Sequence, residues 1–242
     1  MSDWIIPRWP APPNVRAVST LRRGGVSEGR FASLNLGLHV GDEAVSVQKN
    51  RERLTAMFEL PAQPLWLDQH HGSVVVRADN AETCYADASF TSSTGVVCAV
   101  MTADCLPVLL CDRNGTRVAA IHAGWRGLAS GILEAAARDV GGGDLVAWLG
   151  PAIGAAAFEV GDEVRAAFIT QLGVAADAAF KRHETQSKWY ADIYMLARIA
   201  LLRAGVGSVY GGERCTFSEP EHFFSFRRDG QTGRMATLIW LE

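Results

Sequence analysis

The feature that most restricts the fold is a block of short apolar, β-branched runs in the middle of the chain. Val74–Val76, Gly95–Met101, Pro107–Cys111 and Val118–Ile121 each have the length and composition of a buried strand, and the last three follow one another directly. Directly consecutive strands do not fit a regularly alternating parallel sheet, so the chain is expected to be α+β.

The flanking sequence fills in the rest. Residues 7–13, Pro-Arg-Trp-Pro-Ala-Pro-Pro, can sustain neither a helix nor a central strand and predict an extended arm leading into a strand near Val15 to Thr20. A helix is expected from Val47 to Phe58. Leu128, Ile132, Leu133, Ala136, Ala137 and Val140 recur at helical spacing, and Gly141-Gly142-Gly143 should end that helix. A strand at Leu145 to Leu149, helices at Gly161 to Leu172 and Lys188 to Ala204, and a closing strand at Met235 to Leu241 complete the pattern. Neither an internal repeat nor a linker composition interrupts it. The expectation is one α+β domain over residues 1–242, built of mixed β-sheets with flanking helices.

With 48% hydrophobic and 20% charged residues, the 242-residue chain can bury a real core. A net charge of -3 offers no broad electrostatic footprint for nucleic acid or anionic membrane, so an anionic substrate must be met locally. No apolar run has the length of a signal peptide or membrane span, which points to the cytoplasm, and no obligate protein partner is indicated. Five scattered cysteines, an odd number, predict reduced thiols.

Three segments place metal-capable side chains at expected strand ends: Gln69-His70-His71-Gly72, Thr102-Ala103-Asp104-Cys105-Leu106-Pro107 and His122-Ala123-Gly124-Trp125-Arg126-Gly127. A strand holds such a group rigid while the adjoining loop exposes it. Two imidazoles and a thiolate, from His71, Cys105 and His122, suit Zn²⁺ and leave a fourth tetrahedral position open, as in catalytic sites. The ligands are 34 and 17 residues apart and match no short zinc spacing. The same atoms allow a metal-free alternative: Cys105 as nucleophile and His122 as base, with Asp104 or Asp87 orienting the imidazole, in a hydrolase of an amide-linked metabolite. A buried structural cysteine and a hydrogen-bonded loop histidine are the plain alternative to both. His39 and His222, in Gly- and Phe-rich turns, rank second as pocket residues.

Arg126 and the arginines of Phe226-Arg227-Arg228-Asp229-Gly230-Gln231-Thr232-Gly233-Arg234 are candidate clamps for phosphate or carboxylate, since guanidinium binds these anions bidentately. Glu159 is either a proton shuttle or a helix-start carboxylate. No Walker loop or dinucleotide fingerprint is present.

Together these motifs resemble the YfiH family, also called the multicopper polyphenol oxidoreductase (laccase) domain family. Asn35-x-Gly37 with Gly41-Asp42, Gln69-x-His71-Gly72, Thr102-Ala103-Asp104-Cys105, His122 to Gly127, Leu149 to Gly154, Glu159-Val160-Gly161 and Phe224 to Arg234 run in family order over nearly the whole chain. The resemblance implies a single α+β domain with His71, Cys105 and His122 at the metal-ligand positions. It also implies purine nucleoside phosphorolysis of adenosine, inosine and methylthioadenosine, adenosine deamination, and an older laccase label.

Chemistry weighs these labels. A multicopper oxidase holds a mononuclear copper and a trinuclear cluster, normally through His-x-His pairs, whereas this chain has six histidines and no such pair. A lone His₂Cys copper remains the alternative ion, and it transfers single electrons without completing oxygen reduction. Deamination fits a zinc hydroxide attacking C6 of adenine, but the His-x-Glu shuttle of zinc deaminases is absent, leaving Asp104 and Glu159 as acid–base candidates. Phosphorolysis needs an anion clamp, for which Asn35, Arg126 and Arg227 are the candidates.

Overall fold

The mid-chain runs are strands, and they are continuously apolar because both faces of each are covered. In the computed structural model, which describes residues 4–141, 144–184 and 187–242, strand Val97–Thr102 sends Val97 and Ala99 to one side and Cys98 and Val100 to the other. Strand Leu106–Asp112 likewise divides Leu106, Val108 and Leu110 from Leu109 and Cys111. Period-two alternation therefore separates two apolar environments instead of core from solvent.

Two sheets pack face to face around Cys98, Val100, Leu109, Cys111, Val118, Ala120, Val146, Trp148 and Ile239. One has five strands in the order Trp4–Ile5, Val15–Thr20, Met235–Leu241, Val97–Thr102, Leu65–Trp66, antiparallel except for the last pairing. The other has six, in the order Ser208–Gly211, Leu145–Leu149, Leu106–Asp112, Val118–Ala123, Ala88–Thr91, Val75–Arg77, with parallel pairings at its two edges. Helix Ala44–Met57 covers the outer face of the first sheet, where Leu54 joins Val18, Ala99 and Leu238. Helices Ile132–Val140, Asp162–Leu172 and Ile193–Arg203 cover the second through Ile132, Leu133, Ala136, Phe168, Leu196 and Ala200. Each of the larger side chains among these, Ile132, Leu133, Phe168 and Leu196, contributes about 1.5–3 kcal/mol when removed from water. The architecture is the expected α+β arrangement of mixed sheets with flanking helices.

Two expected helices are divided. The one read over 128–140 is a short helix Trp125–Ala129 followed by Ile132–Val140, because Gly131 turns the chain at φ 85°, a conformation open to glycine. Of the glycines read as its end, Gly142 and Gly143 lie outside the described residues. The one read over 188–204 opens as strand Trp189–Ala191 and becomes helix only at Ile193, where Asp192 accepts the Met195 N–H at 2.9 Å as N-cap. Strand Trp189–Ala191 pairs with Glu159–Val160 and Phe180–Arg182 in a small third sheet that helical periodicity concealed. Among the described residues, no helix is long and apolar enough to cross a membrane.

Register brings the three sequence segments to one end of the second sheet. Pro107 lies opposite His122, and Leu106 opposite Ala123, so Cys105 and His122 emerge together. Strand Ala88–Thr91 pairs on the other side, where the His122 N–H donates to the Asp87 carbonyl at 2.7 Å. The parallel pairing of Val75 with Ala88 then carries the 69–72 loop to the same edge.

Candidate metal centre

His71, Cys105 and His122 each offer one ligand atom, and these atoms all lie within 4.8 Å of one another. His71 Nε2 is 3.7 Å from Cys105 Sγ. A tetrahedral site with bonds of about 2.0–2.3 Å has edges of about 3.3–3.8 Å, so the His71–Cys105 pair already stands at that spacing and the two-imidazole, one-thiolate donor set suits zinc. Among the described residues this is the one such cluster.

The backbone holds these groups in uncommon conformations. His71 (φ 64°) and Asp104 (φ 88°) are left-handed, which costs non-glycine residues energy and persists where surrounding bonds fix it. Here the bonds are evident. Asp87 Oδ1 accepts the His71 N–H at 2.9 Å, and Asp87 Oδ2 accepts the Gly72 N–H at 2.7 Å and the His70 N–H at 3.3 Å. The Asp104 carbonyl accepts the Ile153 N–H at 2.9 Å. Gln69 exchanges two 2.8 Å bonds with the Met101 backbone, tying the His71 loop to the strand that leads to Cys105.

Asp87 also orients the metal-facing imidazole. Its Oδ1 lies 2.8 Å from Nδ1 of the buried His122, which directs Nε2 toward the thiol. Burial pushes the Cys105 thiol up, but the His122 imidazolium and hydrogen bonds from His122 and His71 outweigh it, leaving the thiol at about 6. His122 moves the opposite way: burial lowers it, and the Cys105 thiolate and Asp87 raise it to about 9. Buried Cys98 and Cys111 are instead pushed up to about 12, chiefly by desolvation. Of these three thiols, Cys105 is the one whose surroundings favour the thiolate that a ligand or nucleophile requires.

Gly124 admits the cluster. A Cβ there would lie 2.7 Å from His71 Cδ2 and 3.2 Å from Cys105 Sγ. Gly124→Ala is expected to weaken zinc binding at least about tenfold while the far-UV spectrum stays native; a chelator competition returning the unaltered affinity would contradict this geometry.

A sequence profile described as a multi-copper polyphenol oxidoreductase laccase matches residues 16–242. The chain belongs to this family. It is 54% identical over 244 residues to a purine nucleoside phosphorylase of Pseudomonas aeruginosa and 52% identical over 245 residues to purine nucleoside phosphorylase YfiH of Escherichia coli, covering the whole of each chain. The crystal structure of a Neisseria meningitidis protein matches over all of both chains with a TM-score of 0.95 at 51% identity. YlmD from Geobacillus stearothermophilus matches with a TM-score of 0.85 at 34% identity, over 95% of this chain and 93% of its own.

The remaining sequence candidates of this laccase-domain chain fall into two groups. Asp104 sits beside Cys105, but its carboxylate accepts Thr216 Oγ1–H at 2.6 Å, Ser225 Oγ–H at 3.0 Å and the Arg227 N–H at 2.7 Å. Asn35 is fully buried; its Oδ1 accepts the Gly37 and Arg234 N–H groups, and its Nδ2 donates to the Gly37 carbonyl and Asp42. Both spend their polar atoms inside the fold. Arg227 Nη1 donates to the Glu159 carbonyl at 2.9 Å, and the Glu159 carboxylate is paired with Lys188. Arg126 is exposed, with its guanidinium 4.5 Å from the Trp125 ring centre.

Sequence reading groups Arg234 with the other candidate anion clamps of residues 226–234. Burial lowers its pKa, and the Cys105 and Asp104 charges act on it in the opposite sense. His39 is depressed chiefly by burial and, less, by the Arg234 charge. Register sets Arg234 apart from the others: Met235 pairs with Thr102, so the residue before it flanks Ala103 and Cys105.

Proposed function

We propose that the chain is a zinc-dependent purine nucleoside phosphorylase acting on adenosine, inosine and methylthioadenosine, working as one domain in the cytoplasm, with adenosine deamination as a second activity. The observation that carries this reading is the open His71–Cys105–His122 cluster, whose donors fit zinc, in a chain whose full-length relatives bear the phosphorylase name. Zinc bound there would supply a Lewis acid and a water acidified to near neutral pH.

In phosphorolysis an oxygen of phosphate bonds to ribose C1′, and the C1′–N9 bond breaks with its electron pair on the base, which takes up a proton. The products are ribose 1-phosphate and free base. The protein's own tasks are to hold the phosphate, fix the nucleoside and exclude water. Arg126, on the first turn after His122, is the exposed candidate for the entering anion. Asn35, Asp104 and Arg227 act as braces, because their polar groups are committed to neighbouring loops. With Asp104 saturated and Glu159 paired to Lys188, neither is offered as the proton shuttle for deamination.

Incubation of zinc-loaded protein with adenosine and phosphate is expected to yield adenine and ribose 1-phosphate, and without phosphate only the slower formation of inosine and ammonia. If none of these products forms at high enzyme concentration, the reading fails.

A second reading has one observation in its favour. Cys105, His122 and Asp87 form a thiol–imidazole–carboxylate series in which Asp87 Oδ1 stands 2.8 Å from His122 Nδ1, an arrangement suited to nucleophilic catalysis without metal. It assigns His71 no task, although His71 Nε2 is in hydrogen-bond contact with the thiol.

A further inference from the structure

The loop that carries His71 is tied to the segment before strand Ala88–Thr91 by more than the Asp87 carboxylate. The Asp68 N–H donates to the Cys84 carbonyl at 2.7 Å. Between that bond and Asp87, the His70 ring stacks on Tyr85, with ring centres 3.9 Å apart and planes within 4° of parallel. Tyr85 is itself set by its N–H on Thr83 Oγ1 at 3.0 Å. The imidazole also folds back over Gly72, where a Cβ would lie 2.4 Å from His70 Nε2 and 2.8 Å from Cδ2. It is packed against both the Gly72 backbone and the Tyr85 ring.

The ring nitrogen does not account for this placement. His70 Nδ1 stands 3.3 Å from Asp87 Oδ2, yet it is buried and makes no hydrogen bond among the described residues. That oxygen is already taken by the Gly72 and His70 N–H groups. What the ring supplies is cover. Asp87 is fully buried, and its oxygens hold His71 in a left-handed turn through charge-assisted bonds, which weaken when water competes for the acceptor. His70 lies on Oδ2, and Tyr85, 55% exposed, lies on His70, so the pair stands between that oxygen and solvent.

We propose that His70 and Tyr85 are positioning residues of the metal centre: the stacked rings shut water away from Asp87 and thereby hold His71 in its ligating conformation. The role rests on the metal reading of the His71–Cys105–His122 cluster. It belongs to the ring of His70 and not to its nitrogen.

The test follows zinc release from loaded protein into excess chelator, beside amide hydrogen exchange of residues 70–72 in stripped protein. An aromatic pair is worth about two- to tenfold in an equilibrium, so Tyr85→Ala should speed both processes by about that factor, while Tyr85→Phe, which keeps the ring, leaves them unaltered. His70→Asn retains a nitrogen near the Nδ1 position without the ring and should do the same harm as His70→Ala. At saturating Co²⁺ the visible d–d bands of Tyr85→Ala should shift, which loss of a residue that only stabilises the fold would not cause. Wild-type release and exchange in Tyr85→Ala, or unshifted cobalt bands, overturn the proposal, and so does full recovery in His70→Asn. Should Tyr85→Ala not fold, Gly72→Ala, which displaces the imidazole and keeps the N–H, decides by the same readouts. Faster exchange of residues 70–72 in a Tyr85→Ala protein that binds no zinc would sustain the cover over Asp87 and defeat the metal reading. Tight zinc binding indifferent to Tyr85 would do the reverse.

Discussion

Cys105→Ser will lower zinc affinity more than about 100-fold and remove nucleoside turnover with it, and His71→Ala will do equal harm. Loss of groups that merely orient ligands costs about 10–100-fold, and a neutral hydroxyl in place of a thiolate removes a ligand outright. The equality of the two variants is the informative part. A thiol nucleophile paired with His122 leaves His71 with no chemical task, so on that reading His71→Ala keeps its activity and chelator does no damage. Alkylation separates the readings again. In metal-stripped protein the neighbouring imidazoles hold the Cys105 thiol at about 6, so mass mapping should find this cysteine modified rapidly at pH 7, with a rate that falls away below about pH 6. Cys98 and Cys111, raised to about 12 and fully buried, should stay unmodified in the folded protein. Zinc should protect Cys105. Equal modification of loaded and stripped protein, together with activity that survives His71→Ala, would overturn the metal reading.

The sequence made the candidate metal ligands visible because strand ends are local events: an apolar run stops or starts, and a histidine or cysteine stands at the junction. His71, Cys105 and His122 could be nominated on that basis, and the close approach at Gly124 explains the glycine two residues after His122. What surrounds the cluster was harder to read because it depends on register between segments far apart in the chain. Asn35 and Asp104 look like reactive groups in a linear motif. Only the fold places Arg234 over Asn35, and Thr216, Ser225 and Arg227 around Asp104. The same limit applied to the architecture. Strand Ala88–Thr91 is four residues long, with a serine and a threonine, and gives no periodic signal, yet it supplies the pairing that sets Asp87 against His122. Strand Trp189–Ala191 was absorbed into the helix beyond Asp192 because its three residues are too few to establish a period of two.

Asp87 carries the second large effect. Burial pushes its carboxyl up, but hydrogen bonds from His122 and from the Gly72 and His71 N–H groups outweigh this and hold it below the usual carboxylate range, so it is ionised at neutral pH. Every one of these contacts is a donor aimed at an oxygen: His122 Nδ1 and the His71 N–H at Oδ1, the Gly72 and His70 N–H groups at Oδ2. Asparagine has the same shape but one amide nitrogen, and whichever way it turns, that nitrogen faces two donors. Asp87→Asn should therefore release the His71 loop and free the His122 ring at once, lowering zinc affinity about 10–100-fold. Each buried donor left unpaired costs about 1–3 kcal/mol, so the melting temperature should fall as well. Stability alone does not distinguish an orienting group from a structural one, and cobalt substitution does. At saturating Co²⁺ a merely structural Asp87 leaves the visible d–d bands of the folded variant unchanged, whereas an orienting Asp87 shifts them as the imidazole geometry relaxes. A folded Asp87→Asn protein with wild-type zinc affinity and wild-type cobalt bands would show that His122 is held in place by its strand alone.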